Sequence, residues 1–272
     1  MAHTLFISDL HLKPTRQDLN QGFVELCASE IARTADALYI LGDFVEFWIG
    51  DDTPTTGINN SLSALKQLGQ SGVKLYFQHG NRDFLVGQGF AKEYGIALLG
   101  DEAVIDLYGQ PTLLLHGDTL CTDDIDYQNF RAMVREPSWQ QEVLSKSLYG
   151  RIQYAQEIRE KTTEATKQKS AEIMDVNQNA VVDAFQRHQL QHMIHGHTHR
   201  PAQHVFTHER KEYSRVVLSD WDEAAHYYAV FDDGRSEVVE LEIDESLGTQ
   251  VKAQTVKVAL AGTLVNLFLF NR

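Results

Sequence analysis

Cysteine is nearly absent from this 272-residue chain: Cys27 and Cys121 are the only two, and neither lies in a paired motif. That excludes a disulfide scaffold or a thiolate-bound metal and leaves both as small buried residues of a reducing compartment. Positive charge is scarce too. Lys and Arg number 24 against 38 Asp and Glu, a formal charge of −14, which argues against general nucleic-acid binding, because that needs a basic face. Long apolar runs are missing. The apolar stretch 258–270 falls below the roughly 20 residues a membrane span requires. A strand-like run begins almost at once after Met1, with no secretory leader, so a cytosolic location is expected. Neither a Gly-x-Ser-x-Gly elbow nor a Walker loop occurs, which removes two common routes to ester and phosphoryl chemistry. What remains is ordinary for a globule, 43% hydrophobic and 23% charged. The length suits one large domain or one domain with an insertion.

What is abundant is acid and imidazole at the ends of short apolar runs. Thr4-Leu5-Phe6-Ile7 leads into Asp9 and His11, and Ala37–Leu41 into Gly42-Asp43. Val73–Phe77 leads into Gly80-Asn81-Arg82-Asp83, Thr112–Leu115 into His116-Gly117-Asp118, and His192–Ile194 into His195-Gly196-His197-Thr198-His199. Such runs read as buried strands, and in open α/β sheets ligands sit beyond the strands' carboxyl ends. Five strands would then carry Asp, His and Asn to one rim. Mixed oxygen and nitrogen donors of this kind suit a borderline divalent metal such as manganese, iron or zinc. A single Asp-x-His would be no more than a satisfied polar pair. Five clusters in the same local context point to a dinuclear site.

The order of these blocks resembles the calcineurin-like metallophosphoesterases. The resemblance implies one metal held by Asp9, His11, Asp43 and His199, and a second by Asp43, Asn81, His116 and His197. Asp43 would bridge, one carboxylate oxygen to each ion, at a separation of about 3.5–4 Å. His195 falls outside that scheme and reads as a neighbour that orients a ligand. The implied architecture is α/β, two packed β-sheets flanked by helices (α/β/β/α), with a helical cap insertion. The implied chemistry is attack by metal-activated water, with the ions binding phosphoryl oxygens and no covalent nucleophile needed.

One departure narrows the resemblance. The superfamily usually reads Gly-Asn-His-Asp or Glu at the third block, whereas this chain has Arg82 in place of the histidine. Arginine there is similar to the UDP-2,3-diacylglucosamine pyrophosphatase family of lipid A biosynthesis. Leu41-Gly-Asp-Phe-Val-Glu-Phe-Trp-Ile-Gly-Asp-Asp52, His116-Gly-Asp-Thr-Leu-Cys-Thr-Asp-Asp124, Ile173-Met-Asp-Val-Asn-Gln178 and Ile194–Pro201 agree with it. The similarity covers roughly the first 220 residues and weakens after Ser219-Asp220-Trp221, where the family reads closer to Gly-Ala-Trp-His.

The resemblance implies cleavage at the α-phosphate of UDP-2,3-diacylglucosamine, giving UMP and 2,3-diacylglucosamine 1-phosphate. It implies two Mn2+ ions and peripheral attachment to the cytoplasmic face of the inner membrane. Asp43, Asn81, Arg82 and His197 would be catalytic. Asn81, Arg82, Asp124, Lys169 and His197 match substrate contacts. Thr162 and Thr166 stand where the family has a serine and an asparagine, so Thr166 lacks an amide's paired donor and acceptor. Arg82 has two readings: an ion pair with Asp83, or a bidentate phosphate fork, which the extra anionic group of a pyrophosphate favours. The alternatives are a broader nucleotide pyrophosphatase or phosphodiesterase, and a catalytically silent binding module. The filled ligand positions count against the module.

Strand and helix patterns alternate to about residue 120, favouring a largely parallel sheet. Arg215–Leu218, Tyr227–Phe231 and Val238–Ile243 read as further strands, the last two forming a hairpin around Asp233-Gly234. Residues 1–123 and 191–245 are therefore expected to form the core. Residues 124–190 form the cap, with a polar helix around Arg151–Lys169, and 246–272 a tail without assigned role. The cap segment holds ten acidic and nine basic residues, so the excess acidity lies elsewhere. Its apolar residues, Trp139, Val143, Leu144, Leu148, Tyr149, Ile152, Tyr154 and Ile158, suit either a packed hairpin or acyl chains. Arg151, Arg159, Lys161 and Lys167 are expected to face an anionic bilayer.

Overall fold

The computed structural model describes residues 1–167, 173, 175–241 and 253–256. The chain runs β1 (His3–Ile7), α1 (Gln17–Ala28), α2 (Glu30–Arg33), β2 (Ala37–Leu41), α3 (Asn59–Gln70), β3 (Lys74–Gln78), α4 (Gln88–Tyr94) and β4 (Ile96–Leu98). Then come β5 (Glu102–Leu107), β6 (Gln110–Leu115), α5 (Ile125–Arg135), α6 (Pro137–Ser145), α7 (Leu148–Lys167), α8 (Gln178–His188) and β7 (His192–His195). It closes with β8 (Ala202–His208), β9 (Lys211–Val217), β10 (Ala225–Phe231), β11 (Ser236–Leu241) and β12 (Ala253–Val256).

Two sheets result, ordered β12-β11-β10-β1-β2-β3-β4 and β5-β6-β7-β9-β8. Successive strand residues point to opposite faces, and here both faces are covered, which explains why the runs are apolar throughout. On β1, Leu5 and Ile7 join the layer of α1 and α3, while Phe6 joins the seam between the sheets. On β6, Leu114 enters the same seam while Leu113 and Leu115 face Val181, Ala184 and Phe185 of α8. The order is helix, sheet, sheet, helix. Phe6 is stacked on Tyr39 at 5.2 Å and is fully buried, so its loss to Ala would cost about 3–5 kcal/mol.

The alternation of strand and helix ends earlier than expected. β4 passes straight to β5, which pairs antiparallel with β6 across a turn at Tyr108-Gly109. The second sheet begins there. Strand β8 lacks an apolar run because it is an edge, with Gln203, His204 and Val205 exposed. The hairpin at Asp233-Gly234 forms as read, joining β10 to β11. β12 extends the first sheet beyond them, while 258–270 lies outside the described residues. Helix α8, within the segment set apart by sequence, packs against the second sheet. Among the described residues no helix is long and apolar enough to cross a membrane.

Candidate metal centre

Strands β1, β2, β3, β6 and β7 end on one rim, and their loops carry the acid and imidazole blocks. Backbone hydrogen bonds tie those loops together: Asp9 N–H to Gly42 O at 3.0 Å, His11 N–H to Asp43 O at 2.9 Å, and Gly196 N–H to His116 O at 2.8 Å. Glycines permit the approach. A Cβ on Gly80 would lie 2.1 Å from Asp43 Oδ1, and one on Gly196 would lie 2.2 Å from Asp9 Oδ2.

Asp9, His11, Asp43, His197 and His199 all have φ between 48° and 69°. Non-glycine residues rarely adopt this left-handed region, and such strain gathers at functional sites. The structure brings together Asp9, His11 and His199 in one group, and Asp9, Asp43 and His116 in another. Asp43 divides its carboxylate: Oδ2 faces His11 Nε2 at 3.9 Å, and Oδ1 faces His116 Nε2 at 3.8 Å while accepting the Arg82 amide at 2.8 Å. His116 donates Nδ1–H to Leu41 O at 2.8 Å, which turns Nε2 toward Asn81 Oδ1 at 3.1 Å. The rings of His116 and His197 are 4.9 Å apart.

The donor set fits a divalent cation. Among the described residues, Asp9 Oδ1 and both ring nitrogens of His11 are buried without a hydrogen bond, a costly arrangement unless something else binds them. Burial lowers His11 and His197 to about 4, leaving lone pairs for a metal at neutral pH. Burial pushes Asp43 up to about 7; His116 opposes, while Asp83 and Asp9 add to the rise. A cation would relieve that crowding of negative charge. Burial opposes it, but the adjoining carboxylates of Asp220 and Asp9 raise His199 to about 10.

Several residues have roles here that sequence reading did not give them. Asp83 does not pair with Arg82. Its fully buried carboxylate accepts the amides of Gly80 and Phe44, each at 2.7 Å, and so clamps the loops after β2 and β3 together. Asp220, where the chain departs from the family pattern, lies 3.2 Å from His199 Nδ1. Glu46 lies 3.7 Å from His11 Nδ1. Partners of this kind orient metal-binding histidines. His195 is fully buried as a neutral ring, donating Nδ1–H to Gly196 O and accepting from Arg215 at Nε2. It shapes the loop before His197.

Beside the cluster opens a cavity of about 750 Å³. Asn81, Arg82, Asp124, His197 and His199 line it, and so do Trp48, Phe84, Trp139, Val143, Tyr154 and Ile158. Among the described residues the Arg82 guanidinium has no hydrogen bond or ion pair, and its Nε is buried. Asp124 caps α5 by accepting the Tyr127 amide at 3.1 Å. Lys169 and the side chains of Thr162 and Thr166 lie outside the described residues. Arg151 does not face outward as expected, being buried against Asp52; Arg159 is exposed and pairs with Glu46 at 2.8 Å. Each found a carboxylate on the loop after β2, which draws α7 onto the core.

The calcineurin-like phosphoesterase family model matches residues 2–201, and the chain belongs to that family. Within it, the chain is 52% identical to the UDP-2,3-diacylglucosamine hydrolase of Escherichia fergusonii over 218 residues, 80% of this chain and 90% of the relative. It is also 52% identical to the enzyme of that name from Escherichia coli O7:K1 and 51% identical to that of Shigella boydii serotype 18, with the same coverage.

Proposed function

We propose that this chain is a UDP-2,3-diacylglucosamine pyrophosphatase, hydrolysing at the α-phosphate to release UMP and 2,3-diacylglucosamine 1-phosphate. The observation that carries this reading is the Arg82 guanidinium, without a partner among the described residues, beside the acid and imidazole cluster and lining a cavity with apolar walls. Two Mn2+ ions would be held, one by Asp9, His11, Asp43 and His199 and the other by Asp43, Asn81, His116 and His197. Divalent ions bound there supply charge to phosphoryl oxygens and acidify water.

The chain's own residues do the rest. Arg82 offers a planar fork to the pyrophosphate, and Asn81 and His197 hold the phosphoryl group beside it. Asp124, Thr162, Thr166 and Lys169 are further substrate contacts. The wall of Trp48, Phe84, Trp139, Val143, Tyr154 and Ile158 takes the acyl chains, each buried CH2 contributing about 0.8 kcal/mol. Residues 124–190 are inserted between the two parts of a core of 1–123 and 191–245 and act as the cap through α6 and α7, with α8 packed on the second sheet. Ile125, Met133, Leu144 and Tyr149, all exposed on α5 to α7, suit contact with the cytoplasmic face of the inner membrane, from which the substrate is drawn.

Hydrolysis of the diacyl substrate by parent and Arg82→Ala, with Mn2+ binding measured in parallel, tests the reading. Removing one charge-assisted contact should slow turnover about ten- to hundredfold while metal is retained. Equal rates would return Arg82 to a structural role. Efficient cleavage of unacylated UDP-sugars by the parent would favour a general nucleotide pyrophosphatase instead.

A further inference from the structure

Two consecutive carboxylates in the loop after β2 turn in opposite directions. Asp51 faces the body of the fold. Its Oδ1 accepts from the Trp48 indole at 3.2 Å and the Gly87 amide at 2.9 Å, and its Oδ2 accepts from the Phe90 amide at 3.0 Å. A Cβ on Gly87 or Gly89 would lie 2.7 Å from Asp51 Oδ2. Asp52 faces α7. Its Oδ1 accepts Arg151 Nη1–H at 2.6 Å, its Oδ2 accepts Arg151 Nη2–H, and Nη1 also donates to Ile49 O at 2.7 Å. Arg151 is only 4% exposed, although its partner Asp52 is open to solvent.

Gly50 shapes the loop around that guanidinium. Its φ is +130°, and a Cβ there would lie 2.3 Å from Arg151 Nη1. The neighbours of this joint line the cavity: Trp48 and Ile49 from the loop, Tyr154, Ala155 and Ile158 from α7. Those three lie three, four and seven residues beyond Arg151, on the same helix face. A bidentate bond at residue 151 therefore fixes both the rotation of α7 and its height above the loop. Asp51 holds the loop to α4, so the joint is anchored on the core side as well.

We infer that Asp52 and Arg151, seated by Gly50, are a positioning pair that sets the register of α7 and thereby the enzyme's preference for the acylated half of its substrate. Neither side chain touches the reacting atoms. This inference rests on the lipid-substrate reading above.

The experiment compares parent, Asp52→Asn and Gly50→Ala on UDP-2,3-diacylglucosamines of a short and a long acyl length, and on bis(p-nitrophenyl) phosphate. Metal content and Tm are measured alongside. In both variants, KM for the long-chain substrate should rise about tenfold and the gain from longer chains should shrink. The kcat, metal content and generic diester turnover should stay at parental values. Asp52 is exposed, so Asp52→Asn keeps the test decisive should Gly50→Ala fail to fold. Parental KM at both lengths in Asp52→Asn would overturn the inference, as would an equal loss on the generic diester. A parent unable to cleave either diacyl substrate would instead remove the lipid-substrate reading, and this inference with it.

Discussion

The Tyr127 ring lies against that of His197, centroids 5.9 Å apart and planes 29° from parallel. Its hydroxyl donates to Asp118 Oδ2 at 2.6 Å, and the same oxygen accepts Arg131 Nε–H at 2.7 Å. Asp118 stays ionised well below the usual carboxylate range. Burial opposes this, but the charges of His116, Arg131 and His197 and the Tyr127 bond outweigh it. Helix α5 is thus joined to the loop after β6, and Arg135 adds a bond to Gly80 O at 2.9 Å.

Tyr127→Phe keeps the ring and removes the hydroxyl. A hydrogen bond to a charged group contributes about 1.5–3 kcal/mol, so urea unfolding should report a loss in that range. Tyr127→Ala also removes support for His197, and Mn2+ affinity should drop about tenfold. Parental stability in Tyr127→Phe would mean that Arg131 alone satisfies Asp118.

The divided carboxylate of Asp43 sets a second expectation. Chelation should abolish hydrolysis and Mn2+ should restore it. Asp43→Ala should be among the worst single substitutions, because Oδ1 and Oδ2 face different imidazoles. Its Mn2+ stoichiometry by calorimetry should fall, with turnover below about one hundredth of parental. Most activity surviving at saturating Mn2+ would refute a bridging role.

Acid stability should depend on Glu102 at the start of β5. Burial opposes its ionisation, but hydrogen bonds from Arg187 at 2.5 Å and His188 at 2.6 Å lower its pKa from the usual 4.5. A carboxylate depressed in the folded state adds stability above its unfolded pKa and loses it as pH falls through the folded value. Arg187 is half exposed, so screening limits the contribution to about 0.5–1 kcal/mol. Glu102→Gln should unfold at lower urea than the parent at pH 7, and the gap should narrow as pH falls below 4.5 toward the lowered folded value. A gap that does not narrow on acidification would assign the effect to packing.

How much of this was legible in sequence follows from what each residue type can announce. Strands β1, β2, β6 and β7 are apolar on both faces, and the ligand-bearing residues sit where those runs stop, so Asp9, Asp43, His116 and His197 were readable. Gly80 and Gly196 stood in those blocks, but the close approach they permit shows only in the distances. Asp83 was not legible, because a carboxylate clamping two backbone amides looks in sequence like any acid beside an arginine. Arg151 misled for a similar reason. Its partner Asp52 is 99 residues away, and an arginine on a polar helix reads as surface. Edge strand β8 was missed because its outward residues carry no apolar run.

The last expectation concerns the helices between the His116 and His197 blocks. Helix α8 buries Val181, Ala184 and Phe185 against the second sheet, and α5 is bonded to the rim, so neither can be removed without loss of the fold. Helices α6 and α7 supply Trp139, Val143, Tyr154 and Ile158 to the cavity, while the acid and imidazole cluster lies on the loops beneath. Replacing residues 137–172 by a flexible Gly-Ser linker should therefore spare metal binding and slow cleavage of bis(p-nitrophenyl) phosphate. The parent should show kcat/KM rising steeply with acyl length, since each CH2 is worth about 0.8 kcal/mol, or roughly fourfold. The replacement should flatten that slope. If it lost metal and diester turnover together, α6 and α7 would be part of the core; if it kept the acyl slope, the chains would bind elsewhere.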